Sequence, residues 1–175
     1  MSAPKPPMWA PWRMEYILGP KDKSRCIFCV YGAEQPDQFR EDLVVFANAH
    51  AYVVLNRYPF AAGHVMVVPR AHVSEPWGLE PAAHDALFRL VSDVAVRLKD
   101  AVNAGGVNVG INVGEAAGAG IAEHLHVHIV PRWPSDTNFM PVIADVRVMP
   151  QMLDSTWKHV AAALADLPGQ HPPLP

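Results

Sequence analysis

Three histidines alternate with apolar residues in His124-Leu125-His126-Val127-His128-Ile129-Val130, followed by Pro131-Arg132-Trp133. Successive side chains of a β-strand point to opposite faces, so the three imidazoles share one face and Leu125, Val127 and Ile129 share the other. The apolar face can pack into a core. The other carries groups that change charge near neutral pH and act as nucleophiles, proton carriers or metal ligands. Imidazole ligation of zinc or iron is the first chemistry such a row suggests. At about 3.3 Å per residue, however, the Cα atoms of His124 and His128 stand roughly 13 Å apart, so rings at both ends would have to lean steeply inward to share an ion. A division of labour along the row fits this spacing better.

Two other segments carry chemistry. Cys26 and Cys29, the two cysteines of this 175-residue chain, form a CxxC pair. In a reducing compartment that spacing points to metal or redox work before a structural disulfide. Gly114-Glu115-Ala116-Ala117-Gly118-Ala119-Gly120-Ile121 is a loop of small residues whose backbone N–H groups can approach an anion closely. By itself such a loop is as readily a plain connection. Beside three histidines it gains weight as a phosphate site.

The elements that must position these residues are legible from periodicity. Leu43–Phe46 and Tyr52–Leu55 flank Asn48-Ala49-His50 as a hairpin. Asn56–Gly63 is a loop, and His64–Val68 a third strand ended by Pro69. Ala83, Leu87, Leu90, Val91, Val94 and Leu98 fall at helical spacing between Pro81 and Val102, with Gly105-Gly106 as the stop. Val107–Val113 alternates, with Asn108, Gly110 and Asn112 opposite the valines and Ile111. This strand and the histidine strand are consecutive and should pair, their apolar faces against the long helix and their polar faces together. Pro150 opens a last helix with Leu153, Trp157, Val160, Ala161 and Leu164 on one stripe. The pattern is α+β, mostly antiparallel. Residues 1–7 and 168–175 are Pro-rich tails, and residues 8–167 form a single domain. Within it, residues 8–25 make an apolar docking arm with Trp9 and Trp12, and residues 150–167 the C-terminal helix.

Bulk properties exclude some function classes. Half of the residues are hydrophobic and the net charge is −3, which gives a packed domain and no basic surface for nucleic acid. No apolar run reaches membrane-spanning length and the N-terminal stretch lacks a signal-peptide core, so a cytoplasmic protein with no membrane partner is expected.

His-φ-His-φ-His-φ-φ, with φ apolar, is matched at every position by His124–Val130, and this resembles the signature of the histidine triad superfamily. Asn56-Arg57-Tyr58-Pro59 and Gly63-His64-Val65-Met66-Val67-Val68-Pro69 resemble the family's upstream strand-loop-strand, and Asn112-Val113-Gly114 with Ala117-Gly118 its phosphate side. The resemblance spans roughly Cys26 to Trp133. It is nearest to the branch of the fragile histidine triad protein and bacterial diadenosine tetraphosphate phosphorylases, with Pro131-Arg132-Trp133 and Asp136-Thr137-Asn138-Phe139 similar to the bacterial members. The resemblance implies a five-stranded sheet, continued across a homodimer, and a nucleotidyl hydrolase or transferase acting on dinucleoside polyphosphates such as diadenosine tetraphosphate. It implies His126 as the nucleophile on the α-phosphorus, His128 as phosphate or leaving-group partner, and His64 completing the cluster. Asn56 would bond the ribose; Asn112 and the backbone of Gly118, Ala119 and Gly120 would hold phosphate. The resemblance implies a purine nucleotide substrate and no required catalytic metal. A structural zinc is implied on Cys26, Cys29, His72 and His124.

One departure from the family pattern stands out. Ala119-Gly120 occupies the place where relatives carry glutamine with a hydroxyl residue, or a serine, so the choice between water and inorganic phosphate as second nucleophile stays open. Other readings in view are a nucleoside phosphoramidate or adenylyl-sulfate hydrolase, and a zinc-stabilised nucleotide-binding protein with little turnover. A cupin-like metalloenzyme lacks its carboxylate ligand. His50, His84, His159 and His171 read as surface residues. Trp133 and Phe139 are placed for base stacking or packing, and Arg132 for a phosphate or an ion pair.

Overall fold

The computed structural model describes residues 25–33, 38–134, 136 and 153–169. In chain order these form helix α1 (Ile27–Ala33), strands β1 (Val44–Ala47), β2 (Ala51–Leu55) and β3 (Val65–Pro69), helix α2 (Pro81–Ala101), strands β4 (Gly106–Ile111) and β5 (Val127–Arg132), and helix α3 (Leu153–Leu164). The arm at residues 8–24, Pro150, Phe139 and the Pro-rich tails, apart from Pro168 and Gly169, lie outside the described residues.

The strands pair antiparallel throughout in the order β1-β2-β3-β5-β4. The hydrophobic pattern explains the layers. Val53, Leu55, Val65, Val67, Val127 and Ile129 point to one side and pack with Leu87, Leu90, Val94 and Leu98 of α2 and Trp157, Val160 and Leu164 of α3. Burying these side chains contributes about 1.5–3 kcal/mol each before the entropy cost of ordering them. The opposite face is covered near β1–β3 by α1, where Phe28 packs with Val44, Tyr52, Val54 and Val68. A register shift between Val44 and Phe46 lets both Val45 and Phe46 reach the α2 side.

Several boundaries differ from the expectations drawn from sequence, among them β3, which runs Val65–Pro69 where His64–Val68 was expected. The histidine strand begins at Val127, not His124, because its ladder with β3 starts at the Val67–Val127 pair. Leu125 and His126 lead into it after a bend at His124, tied by the Leu125 N–H to the Val73 carbonyl, and keep the alternation: Leu125 joins the α2 core. β4 stops at Ile111, opposite Val127, so Asn112 and Val113 fall in the loop. Val109 of β4 is 50% exposed, so α2 covers only Val107 and Ile111 of that face. The long helix ends at Ala101, and Asn103, with φ of 48°, takes a left-handed conformation just after it, ahead of Gly105-Gly106, which was expected as the stop. Among the described residues no helix is long and apolar enough to cross a membrane.

Candidate active site and metal cluster

His128 sits mid-strand on the face away from α2, between Met66 of β3 and Gly110 of β4. Cross-strand partners share a face, and the glycine leaves the β4 side of the imidazole uncrowded. His126 lies one step earlier on the same face, 5% exposed. Its Nδ1 is 2.9 Å from the His124 carbonyl. A carbonyl only accepts, so Nδ1 carries the hydrogen and Nε2 keeps a lone pair. Burial, more than any other influence, pushes the His126 pKa below the usual imidazole range, with the His124 carbonyl and Glu123 opposing. The ring is therefore neutral at physiological pH, the state in which Nε2 is a nucleophile.

The same accounting fixes the neighbouring rings. The Phe60 backbone N–H donates to His64 Nδ1 at 3.1 Å, so neutral His64 carries its hydrogen on Nε2. That Nε2 is 3.0 Å from His128 Nδ1 and donates to it. His128 then holds its own hydrogen on Nε2. The chain Phe60 N–H, His64, His128 thus ends in an N–H donor on the ring next to His126. The His126 and His128 rings are 4.9 Å apart at 79°. Phe60 stacks on His64 at 4.9 Å and 19°. Asn56, where β2 gives way to the loop, accepts the Tyr58 N–H on Oδ1 at 2.9 Å. A cavity of about 170 Å³ lies at the end of β2 and the start of β3, lined by Leu55, Asn56, Pro59, Ala62, Gly63 and His64 with Leu153 and Thr156 of α3, and neither His126 nor His128 lines it.

The small-residue loop folds on itself. Gly114 (φ 79°) and Gly118 (φ 88°) take positive-φ conformations, that of Gly118 left-handed helical, around a single 3-10 turn, Glu115–Ala117. The Gly118 N–H donates to the Glu115 carbonyl at 2.9 Å and the Ala119 N–H to the Gly114 carbonyl at 3.3 Å. The Asn112 amide donates to the Gly118 carbonyl at 3.4 Å. Asn112, Gly118 and Ala119 are thus brought together, with their polar groups engaged in closing the loop.

Cys26, Cys29, His72 and His124 converge although they lie just before α1, on α1, on the chain after β3 and on the chain before β5. Their Sγ and ring N atoms all fall within 4.8 Å of one another. His124 Nδ1 is 3.3 Å from Cys26 Sγ and 3.5 Å from Cys29 Sγ, and His72 Nδ1 is 3.2 Å from Cys29 Sγ. A tetrahedral ion with thiolate and imidazole ligands separates S and N by about 3.5 Å, from bond lengths of about 2.3 and 2.05 Å. The spacing fits. The tautomer fits as well: His124 donates its Nε2–H to the Pro69 carbonyl at 2.9 Å, leaving Nδ1 with the lone pair toward the sulfurs. Burial, ahead of nearby His72 and His126, holds the His124 pKa low, so that lone pair is present at neutral pH. Burial and then the adjacent Cys26 push the Cys29 thiol up. A divalent cation reverses that preference.

The remaining candidates resolve into structural placements. Arg132 makes a two-pronged pair with Asp136, at 2.5 and 2.7 Å. The Trp133 indole N–H is held by the Asn103 carbonyl at 3.0 Å, beyond the end of α2. His50 is exposed, and exposed His159 donates to the Ala101 carbonyl at 2.7 Å. His84 is half-exposed beside Asp85. Trp9, Trp12, Phe139 and His171 lie outside the described residues. Two features went unread in the sequence: the wall that α3 gives the pocket, and Phe28, whose position between two cysteines was the available signal.

The chain matches the family model described as HIT domain over residues 38–135. It is 36% identical over 166 residues to a Mycobacterium tuberculosis H37Rv protein named AP-4-A phosphorylase, covering 92% of this chain and 85% of the relative. A Schizosaccharomyces pombe protein named bis(5'-nucleosyl)-tetraphosphatase (asymmetrical) is 35% identical over 82 residues, 47% of this chain and 44% of its own length. Among solved structures, a zinc-bound histidine triad family protein from Mycobacterium smegmatis superposes with a TM-score of 0.65 at 24% identity, over 82% of this chain and 96% of that one, and so shares the fold.

Proposed function

This chain belongs to the HIT domain family, and on that premise we propose that it is an enzyme that splits dinucleoside polyphosphates, diadenosine tetraphosphate foremost, through a nucleotidyl-His126 intermediate resolved by inorganic phosphate. The observation that carries this reading is the state of His126: a buried neutral ring whose Nδ1–H is held by the His124 carbonyl, so that its lone pair is on Nε2. In the first step Nε2 bonds to an α-phosphorus while the bond from that phosphorus to the bridging oxygen of the leaving polyphosphate breaks. His128 Nε2–H donates a hydrogen bond to the departing oxygen, which leaves as the terminal phosphate anion of ATP, and the His64 Nε2–H at His128 Nδ1 holds the ring for that bond. In the second step an oxygen of inorganic phosphate attacks the same phosphorus and the N–P bond breaks. The lone pair returns to Nε2 of His126, and the proton of the attacking phosphate is released to solvent. The products are ATP and ADP.

Positioning and charge stabilisation are what phosphoryl chemistry asks of a protein. Asn56, whose amide lies 3.4 Å from His64 Nδ1, takes the ribose hydroxyls. The Asn112–Gly120 loop exchanges its internal bonds for phosphate oxygens. Phosphate rather than water as acceptor is favoured by Gly118-Ala119-Gly120, which has no side chain to orient water, and by the name of the M. tuberculosis relative. A Cβ at Gly114 would meet nothing within 4 Å, and one at Gly118 only the Asn112 amide at 3.9 Å, so there is room for a second anion.

Cys26, Cys29, His72 and His124 would hold a zinc ion whose part is to tie α1 to the sheet. A reducing cytoplasm keeps both thiols available for it. β4, an edge strand with Val109 exposed, would pair with a second copy to make a homodimer.

The test is product identification after incubation with diadenosine tetraphosphate, with and without inorganic phosphate. ATP plus ADP, formed only with phosphate, is expected, and His126→Ala should abolish it while the fold is retained. ATP plus AMP without phosphate makes the enzyme a hydrolase. Preferential turnover of a nucleoside phosphoramidate or adenylyl sulfate overturns the substrate, and bound nucleotide without turnover overturns the enzyme.

A further inference from the structure

Phe28 lies between the two cysteines, 3% exposed, and its ring touches two of the three histidines of the row. The ring centroids are 5.1 Å apart with His126, tilted 47°, and 5.6 Å apart with His124, at 73°. Aromatic pairs attract at these separations when offset or edge-on. The torsion that turns an imidazole about its Cβ–Cγ bond has broad wells, so one hydrogen bond defines the ring plane poorly. His126 donates its Nδ1–H to the His124 carbonyl, and its ring is flanked by the His128 ring and by Phe28.

Phe28 is itself held from several directions. Its carbonyl accepts the Tyr52 hydroxyl at 2.7 Å in a buried site. Cys26 and Cys29, on either side of it in the chain, face His124 and His72. The Arg70 guanidinium bonds the Gly32 carbonyl further along α1 and the Asn48 carbonyl at 2.7 Å. Every one of these anchors runs from α1 to the sheet or to the loop beside it, and Phe28 is the side chain through which α1 reaches the nucleophile.

We infer that Phe28 is a positioning residue for His126: the cysteine–histidine cluster and Tyr52 fix α1 so that the Phe28 ring sets the plane of the His126 imidazole and keeps Nε2 in line with the phosphorus. The cluster on one side of the row therefore serves the chemistry on the other through a packed ring and the shared His124 backbone, with no contact between metal and substrate. The inference rests on the nucleotidyl-His126 reading. A residue that sets orientation governs the rate of bond formation and leaves ground-state binding and metal content alone.

The experiment is a graded series, Phe28→Tyr, Phe28→Leu and Phe28→Ala, in the full chain. For each variant three quantities are measured: bound zinc by metal analysis, thermal midpoint, and the single-turnover rate of nucleotidyl-enzyme formation at saturating diadenosine tetraphosphate. A graded loss is expected, small for Tyr, larger for Leu and roughly tenfold or more for Ala. KM should stay within about twofold and zinc near one equivalent in every variant that folds. A rate that falls only in variants that have lost zinc or fold overturns the inference and makes Phe28 a structural residue. So does an unchanged rate with a raised KM, which makes it a substrate contact. If the wild-type chain turns over with no nucleotidyl adduct, the functional reading has failed instead; an adduct that forms equally fast in all variants refutes the role of Phe28 alone.

Discussion

Replacing Tyr52 by Phe removes one hydroxyl and nothing else. Tyr52 is 0% exposed, and its ring packs with Phe28, Val44, Val54 and Val68, so the substitution keeps the packing. What is lost is the 2.7 Å bond to the Phe28 carbonyl. Burial, chiefly, pushes the Tyr52 phenol pKa well above its usual value, so the lost group is a neutral donor at any working pH. A buried hydrogen bond of this kind contributes about 1–1.5 kcal/mol net, and 1.4 kcal/mol is about a factor of ten in an equilibrium constant. Where α1 unfolds only with the rest of the domain, that cost lowers the thermal midpoint by about 3–5 °C for a chain of this size. Where α1 detaches by itself, the midpoint hardly moves, and the cost appears as roughly tenfold faster metal release to a chelator, because local opening exposes the ligands. The paired assay is differential scanning calorimetry of the zinc-loaded protein and stopped-flow zinc release into a chromogenic chelator. A variant with an unchanged midpoint and an unchanged release rate refutes the claim that this bond anchors α1.

Two further outcomes follow from the geometry. His126 and His124 are held below the usual imidazole range by burial, whereas in the unfolded chain both titrate near 6.5. Below about pH 6.5 the unfolded chain takes up protons that the buried rings refuse. Stability is therefore full above that pH and is lost as pH falls toward the depressed folded values, a trend that urea midpoints between pH 8 and 5 will register and that a flat profile would contradict. Gly63 holds φ of 74°, and a Cβ there would stand 3.4 Å from Pro131 Cγ and 3.6 Å from Leu98 Cδ1, so Gly63→Ala should cost about 1–3 kcal/mol in urea unfolding; a cost below about 0.3 kcal/mol would show that the turn relaxes freely.

The histidine face was legible because alternation with period two admits one placement of Leu125, Val127 and Ile129 against a core, and the imidazoles then have nowhere else to go. The start of β5 was not legible. It depends on where β3 ceases to offer a ladder, a fact about residues some sixty positions away. The pairing of β4 with β5 followed from their adjacency and short connection, whereas the exposure of Val109 follows from how far α2 reaches across the sheet, which periodicity does not encode. The four-residue cluster came from resemblance, since CxxC declares only half of a site and His72 has no local mark. The tautomers that set His126 apart from His128 were beyond any motif, because they are fixed by backbone groups: the carbonyl of His124 and the N–H of Phe60. Phe28 was hidden for a similar reason. Its neighbours in sequence are cysteines, and its contact with His126 exists only once α1 is laid on the sheet.

The central claim is that His126 Nε2 forms the bond to phosphorus, and the most direct measurement is to find that bond. Protein mixed with diadenosine tetraphosphate in the absence of inorganic phosphate, quenched in alkali and digested, should yield one peptide carrying a nucleotidyl group on His126. The group should be labile to acid and should be discharged as ADP when phosphate is added before the quench. A nucleotidyl group on any other residue, or full turnover with no adduct and an active His126→Ala variant, would contradict the account.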